Sequence, residues 1–265
     1  MAEIRFYSAA GNRFAVLDAF EREPEDAPRR ARATCTEHGL DGLLVAARPH
    51  AGGDCRMLVF NRDGSRAAAC GNGLRCVARF AVELGHARDE LVIETDSGAR
   101  RVRCSRRGAE IVGARADMGV PRLLAFDRRI PCAGRELCAT LVDMGNPHCV
   151  LFVPDVERAE VATLGPALQS HASFPDGVNV SFVEVGSAGL RVRTWERGVG
   201  ETAACGTGAS ASAVAALIAS RARSPVAIET RGGNLEVVWD GSGTLQLAGP
   251  VHSLAVSRAP LPGGP

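Results

Sequence analysis

The sequence predicts a mixed α+β protein composed of two pseudo-symmetric halves that arose by internal duplication. Three separate segments of the first half recur in the second half at nearly one spacing, 134 or 135 residues further along. A period this long is typical of a duplicated domain, whereas solenoid repeats have roughly 20–50 residues. The matching pairs are Gly11-Asn12 with Gly145-Asn146, residues 68–73 (AACGNG) with 203–208 (AACGTG), and residues 93–95 with 228–230 (both IET).

Each half is predicted to contain the same elements in the same order. A strand follows the Gly-Asn pair, a helix follows the Cys-Gly-x-Gly motif, and an alternating segment with a central Gly then predicts a hairpin. The predicted strands are residues 14–20 and 149–153, the helices 73–86 and 209–220, and the hairpins 91–104 and 226–239.

The two predicted helices differ in character. The first places Cys76, Phe80 and Leu84 on one face, and Gly85 is expected to end it. The second has small residues on every side, which predicts burial and close approach of the surrounding backbone. We place the N-terminal half at residues 1–120 and the C-terminal half at 121–265, with the return of the last strand to the first half left open. The PLPGGP tail is expected to be disordered.

Composition narrows the classes of function. With 46% apolar and 23% charged residues, the 265-residue chain is typical of a soluble globular protein. A net charge of +1 favours neither nucleic acid nor a membrane surface as a partner. The N-terminus has charged residues where a signal peptide has an apolar core, so we expect a cytoplasmic protein. The chain contains no Lys, which excludes pyridoxal phosphate enzymes and P-loop proteins because both need one.

The nine cysteines do not form a disulfide or zinc pattern. Their number is odd and no two are spaced as CxxC, which argues against a disulfide framework and a structural metal site. Seven of them are expected to be reduced core residues. The other two, Cys70 and Cys205, occupy equivalent positions in the duplicated motif.

A cysteine at the start of a helix has a chemical use. The helix N-terminus lowers the pKa of a thiol, and its free N–H groups bind anions. We therefore expect the amides after each sulfur to hold a carboxylate, while Cys70 and Cys205 face each other across a cleft. One thiolate would remove the α-proton and the other thiol would donate one to the opposite face. This is two-base racemisation or epimerisation, without a cofactor and without a metal. The amides belong to Gly71, Asn72, Gly206 and Thr207.

Two other interpretations of the motif stay open. The Cys-Gly-x-Gly sequence also suits a plain strand-to-helix turn in which Cys is a small capping residue. Two nearby thiols could instead form a regulatory disulfide, although the CxxC spacing of redox pairs is missing. A non-catalytic binding or redox-sensing protein on the same scaffold is the corresponding alternative function.

Four stretches of the sequence carry a resemblance to a known family: residues 60–76 (FNRDGSRAAACGNGLRC), 144–150 (MGNPHCV), 177–185 (GVNVSFVEV) and 194–213 (TWERGVGETAACGTGASASA). In these stretches the chain resembles the diaminopimelate epimerase family. The resemblance implies two pseudo-symmetric halves, each a mixed β/α barrel-like unit around a central helix, with the active site in the cleft between them. The implied activity is interconversion of LL- and meso-diaminopimelate for lysine and peptidoglycan synthesis.

The resemblance also implies roles for single residues. Cys70 and Cys205 would be the acid/base pair, and His148 and Glu196 would tune their protonation. Glu196 and Arg197 would lie beside the reacting centre, with the four amides named above on the reacting carboxylate. A clamp on the distal end of the amino acid is implied for Asn61, Asn146, Asn179 and Arg197, and Asn12 matches the Gly-Asn element of the family.

Two departures from the family bear on substrate fit. Arg13 replaces an acidic residue, and Gly42 replaces a Gln that contacts substrate in the family. The alternative function is therefore a related cysteine-pair racemase or epimerase for another amino acid, of hydroxyproline or histidine type. In either case the expected partner is a small-molecule amino acid; a homodimer is left open.

Overall fold

The computed structural model describes residues 3–68 and 70–254, and the PLPGGP tail lies outside them. The chain divides into two compact units. The first runs up to Ala116 and includes the segment that begins at Gly249, and the second is Asp117–Ala248. The sequence pattern placed the division a few residues later, between 120 and 121.

The first unit is a mixed sheet with two helices. Its strands pair in the order β18-β1-β2-β3-β4-β6-β7-β8, with β2/β3 and β4/β6 parallel and the other neighbours antiparallel, and β5 forms a short hairpin with β4. The elements are β1 (Ile4–Ala9), β2 (Asn12–Ala19), α1 (Ala27–His38), β3 (Gly42–Ala47), β4 (Cys55–Asn61), β5 (Arg66–Ala67), α2 (Gly71–Glu83), β6 (Glu90–Glu94), β7 (Arg100–Arg107), β8 (Glu110–Gly119) and, from the end of the chain, β18 (His252–Leu254).

The second unit repeats this arrangement. Its order is β9-β10-β11-β12-β13-β15-β16-β17, with β11/β12 and β13/β15 parallel and β14 in a hairpin with β13. The elements are β9 (Arg122–Cys132), β10 (Arg135–Asp143), β11 (Pro147–Phe152), α3 (Val161–Gln169), β12 (Asn179–Gly186), β13 (Gly189–Glu196), β14 (Gly200–Thr202), α4 (Gly206–Ile218), β15 (Val226–Thr230), β16 (Gly233–Val238) and β17 (Leu245–Pro250).

The predicted duplication is confirmed, strand for strand, by the order and direction of pairing. Helix α2 packs against β1, β2, β3, β4, β6 and β7, and α4 packs against their six counterparts β10, β11, β12, β13, β15 and β16. Each of these helices is therefore the central helix of its unit. The sheet itself is not closed, so the barrel-like character lies in this packing of many strands on one helix.

Strand β3 shows why the sheet has a core on both faces. All six of its residues are buried. Leu44 and Ala46 belong to the core that contains the apolar face of α2, whereas Leu43 and Val45 belong to a second core against α1. Alternate residues of a strand point to opposite faces, so a continuously apolar strand is what two helix layers require.

The central helices follow their sequences. In α2, Cys76 and Phe80 are fully buried, and the helix ends just before Gly85, which has a left-handed φ of 76°. In α4, every residue from Gly208 to Ala216 is buried, as its small side chains predict. No helix within residues 3–68 and 70–254 is long and apolar enough to cross a membrane.

Candidate active site

Cys70 and Cys205 are the N-caps of the two central helices. Both have extended backbone angles, and each sulfur accepts a hydrogen bond from the amide three residues later, Gly73 N–H and Gly208 N–H, at 3.3 Å in both cases. The first N–H groups of an α-helix have no acceptor within the helix. Each sulfur therefore lies at a site suited to a negative charge, either its own or that of a bound carboxylate. All nine cysteines are free thiols.

The last glycine of each motif is required by close packing. A Cβ on Gly73 would lie 3.1 Å from Leu44 and 3.2 Å from the Cβ of Cys70. A Cβ on Gly208 would lie 3.0 Å from the Thr194 hydroxyl and 3.2 Å from the Cβ of Cys205. Glycine thus allows the capping cysteine and the neighbouring strand to approach the first turn of the helix.

In the first unit, a chain of hydrogen bonds orders the side chains around the start of α2. Arg75 Nη2 donates to Asn72 Oδ1 at 2.8 Å, and Asn72 Nδ2 donates to Asn12 Oδ1 at 2.7 Å. Asp41 accepts from Asn12 Nδ2 at 3.4 Å and from the Arg13 amide at 2.8 Å. The predicted site residues Asn12 and Asn72 are therefore in direct contact.

Gly42 and Asn61 form a cross-strand pair in this unit. They are partners in the β3–β4 register. A Cβ on Gly42 would lie 2.7 Å from the carbonyl oxygen of Phe60, so the backbone here leaves no room for a side chain without a shift. Asn61 is exposed, and its Nδ2 donates to Ser65 Oγ at 2.9 Å. Asn61 thus contacts its own hairpin.

In the second unit, the predicted residues gather where β11, β12 and β13 meet. His148 and Asn179 are partners in the parallel β11–β12 register. His148 Nε2 lies 3.0 Å from Asn146 Oδ1. Asn179 accepts from the Arg197 amide at 3.0 Å and donates to the Pro147 carbonyl at 3.0 Å. Asn179 therefore fixes the backbone at Arg197, the residue that follows Glu196 at the end of β13.

Glu196 is the charged group beside Cys205. The Thr202 hydroxyl donates to Glu196 Oε1 at 2.5 Å, and the Glu196 carboxylate is near enough to act on the Cys205 thiol. Burial and then the Glu196 charge raise the pKa of the Cys205 thiol, against a smaller opposing effect of Thr207 and the Gly208 amide. Thr207 Oγ1 lies 3.4 Å from the Cys205 sulfur.

His148 is neutral in the folded protein. It is 1% exposed, and burial lowers the pKa of its imidazole to about 3, with Asp143 opposing and Arg197 adding to the shift. Its Nδ1 is buried and finds no hydrogen-bond partner among the described residues. At neutral pH His148 is therefore a polar group without charge. The Arg197 guanidinium donates to the Asp176 carbonyl at 2.7 Å.

The sequence predictions missed three residues of these networks. Asp41, Arg75 and Thr202 each hold a predicted site residue in place. For Arg75 and Thr202 the duplication gives no signal, because the corresponding residues in the other half are Ser210 and Ala67. Within residues 3–68 and 70–254, no group of three or more His, Cys, Asp or Glu side chains is arranged to hold a metal ion.

Comparison with known proteins identifies the family. The sequence model of the diaminopimelate epimerase family matches residues 6–124 and 140–253. The diaminopimelate epimerase of Moorella thermoacetica is 41% identical over 247 residues, 86% of this chain and 88% of that protein. The one from Geobacillus thermodenitrificans is 40% identical over 266 residues, covering 92% and 91%. The chain belongs to the diaminopimelate epimerase family. It is therefore an isomerase.

Solved structures of low sequence identity share the fold of this family. A probable proline racemase from Agrobacterium radiobacter has a TM-score of 0.73 at 17% identity and covers 98% of this chain and 93% of its own. A hydroxyproline epimerase from Agrobacterium vitis, with bound trans-4-hydroxy-L-proline, has a TM-score of 0.69 at 15% identity, with coverages of 96% and 91%.

Proposed function

We propose that the protein interconverts LL- and meso-diaminopimelate with Cys70 and Cys205 as its two acid/base groups. The observation that supports this most is the matched geometry of the two sulfurs, each at a helix N-terminus and each accepting an amide hydrogen bond at 3.3 Å. The substrate follows from the relatives named above. A thiolate takes the α-proton and becomes a thiol, while the other thiol protonates the opposite face and becomes a thiolate.

The helix ends and the buried polar groups have separate tasks in this reaction. The amides of Gly71, Asn72, Gly206 and Thr207 bind the reacting carboxylate and stabilise the charge that develops on it when the proton leaves. Glu196 and neutral His148 adjust the protonation of the two thiols. Because a free thiol is needed on both helices, the protein works in a reducing compartment, and a cytoplasmic location stays a prediction.

Solvent deuterium uptake tests the two thiols directly. Reduced protein with LL-diaminopimelate in heavy water should lose the α-proton signal by NMR as the meso isomer appears. Cys70→Ala and Cys205→Ala should each abolish epimerisation, whereas Cys138→Ala, which removes an exposed thiol, serves as the matched control. Turnover that survives in either of the first two variants would overturn the assignment.

Arg197 and the asparagines Asn61, Asn146 and Asn179 are proposed to bind the distal end of the substrate, with Asn12 supporting the first-unit network. A guanidinium matches a carboxylate bidentately. Arg197→Met should therefore lose far more activity on diaminopimelate than on amino acids that lack a second charged end. An equal loss on both would favour the alternative, a racemase for another amino acid.

Two further predictions concern the whole protein. Oxidation that bridges Cys70 to Cys205 should remove activity until reductant is added, and full activity with both thiols bridged would contradict the mechanism. A homodimer stays a prediction that light scattering of the purified protein would test.

A further inference from the structure

Helix α2 carries a buried guanidinium that the proposed reaction does not use. Arg75 is 0% exposed. Its Nη2 donates to Asn72 Oδ1, which places the guanidinium over the first turn of the helix that Cys70 caps. Its Nε and Nη1 are buried and find no hydrogen-bond acceptor among the described residues. In that part of the chain the ionisable groups that act on Arg75 are Cys76 and Cys70.

A buried cation of this kind needs a nearby anion. Taking a charge out of water is costly unless an opposite charge compensates it. Cys76 is completely buried, and burial raises the pKa of its thiol to about 12, so it stays protonated at neutral pH. Cys70 is partly exposed and already accepts a helix amide. Of the two sulfurs, Cys70 is therefore the one that can carry the compensating negative charge.

The equivalent place in the second unit has no cation. Ser210 follows Arg75 by 135 residues, the same spacing as between the two cysteines. It is fully buried, and its hydroxyl donates to the Gly206 carbonyl at 2.9 Å. The charged group at Cys205 is the carboxylate of Glu196. The helix amide contacts of the two sulfurs are equal in length. The starts of the two helices differ instead in their charged side chains, a buried guanidinium on α2 and the Glu196 carboxylate at Cys205.

Several other charged groups on or near the strands around α2 have polar partners of their own. The Asp41 carboxylate near Asn12 accepts the Arg13 amide, and the backbone amides of His50, Ala51 and Gly53 donate to Glu94. The ion-paired or hydrogen-bonded sets are Arg5 and Tyr7 with Glu83, Arg79 with Glu83, Arg56 with Glu23, Arg66 with Asp96, and Glu90 with Arg103. Arg75 differs from these groups because the ionisable groups that act on it are the thiols of Cys76 and Cys70.

We infer from this asymmetry that Arg75 is a positioning residue that keeps Cys70 as the thiolate of the resting protein, while Cys205 rests as the thiol. The inference rests on the proposed roles of the two cysteines. The same guanidinium sets the orientation of Asn72, because its donation to Oδ1 leaves Asn72 Nδ2 to donate to Asn12. The first proton taken from substrate by the resting protein then goes to Cys70.

Alkylation of the two thiols as a function of pH tests this without substrate. Reduced full-length protein is treated briefly with iodoacetamide between pH 5 and 10, and peptides containing Cys70 and Cys205 are quantified by mass spectrometry from the same sample. The midpoint for Cys70 should lie at least about one pH unit below that for Cys205, as expected when an opposite charge is close to a thiol.

Variants separate the charge of Arg75 from its hydrogen bond. Arg75→Gln keeps a donor for Asn72 but removes the charge, and should raise the Cys70 midpoint by about one to three pH units while leaving that of Cys205 unchanged. Arg75→Lys restores the charge and should restore a low midpoint. Ser210→Ala, the matched change in α4, should move neither midpoint.

Two results would overturn the inference. One is an equal or higher midpoint for Cys70 than for Cys205 in the parent protein, which decides the matter even if Arg75→Gln does not fold. The other is an unshifted Cys70 midpoint in Arg75→Gln protein whose circular dichroism and melting temperature match the parent. Turnover that survives Cys70→Ala would instead defeat the proposed function and leave the ionisation result standing.

Discussion

Replacing Thr202 with Val should show whether the anchored carboxylate of Glu196 is needed for turnover. The Thr202 hydroxyl donates to Glu196 Oε1 at 2.5 Å. Thr202 lies on β14, which forms a hairpin with β13, and Glu196 is the last residue of β13. Val keeps the shape of the side chain and its preference for a strand. The change therefore removes the anchor of the carboxylate with little change in packing.

The expected loss follows from the kind of hydrogen bond removed. A hydrogen bond to a charged group contributes about 1.5–3 kcal/mol. Both residues are partly exposed, so water can replace the hydroxyl in part, and the lower end of the range applies. A loss of about 1.5 kcal/mol in the transition state corresponds to about a tenfold slower reaction. We expect this decrease in kcat for α-proton exchange of LL-diaminopimelate in heavy water, followed by NMR.

Thr230→Val is the matched control for this experiment. Its hydroxyl donates to the Gly233 carbonyl at 2.7 Å within the β15–β16 hairpin. This variant should lose some stability and keep its turnover. If Thr202→Val reacts within twofold of the parent protein, or if both variants slow equally, the proposed role of the anchored Glu196 carboxylate is refuted.

Three further changes test packing and charge in the two units. Gly208→Ala places a Cβ 3.0 Å from the Thr194 hydroxyl and should cost about 1–3 kcal/mol of stability; an unchanged melting temperature and turnover would contradict this. The pKa of His148 is about 3 in the folded protein and 6.5 for an ordinary His. Between these two pH values the unfolded chain binds a proton at His148 that the folded protein does not bind. Stability should therefore fall as the pH drops from about 6.5 towards 3, by up to about 1.4 kcal/mol per unit, and His148→Gln should flatten this slope in urea titrations at pH 7 and 4.5. Gly42→Ala places a Cβ 2.7 Å from the backbone oxygen of Phe60 and should lower the melting temperature, whereas an unaffected value would show that β3 and β4 can separate there.

Local features of the fold could be predicted because they depend on residue type at short range. The motifs around Cys70 and Cys205 each predict a tight turn into a helix, and the structure places both residues as N-caps. Gly85 marks the end of α2, where a left-handed φ favours glycine. The small side chains after Gly206 predict a helix buried on all sides, which α4 confirms.

Contacts between distant segments could not be predicted from the sequence. Gly42 of the first unit and Asn179 of the second unit occupy corresponding positions in the sheets. Gly42 pairs with Phe14 in the β2–β3 register, and Asn179 pairs with His148 in the β11–β12 register. The residues around position 42 do not indicate which strand will pair with this one. Register depends on which non-local strands pair.

The sequence by itself determined the duplicated mixed α+β fold, the paired cysteine motifs and the family to which they belong. The tertiary structure decided which charged side chains lie at the two helix starts: Arg75 is buried and donates to Asn72 in the first turn of α2, and Glu196, anchored by Thr202, lies beside Cys205. The physical reason is that the effect of a charge depends on burial and on distances across the fold. Neither quantity is set by the spacing of residues along the chain.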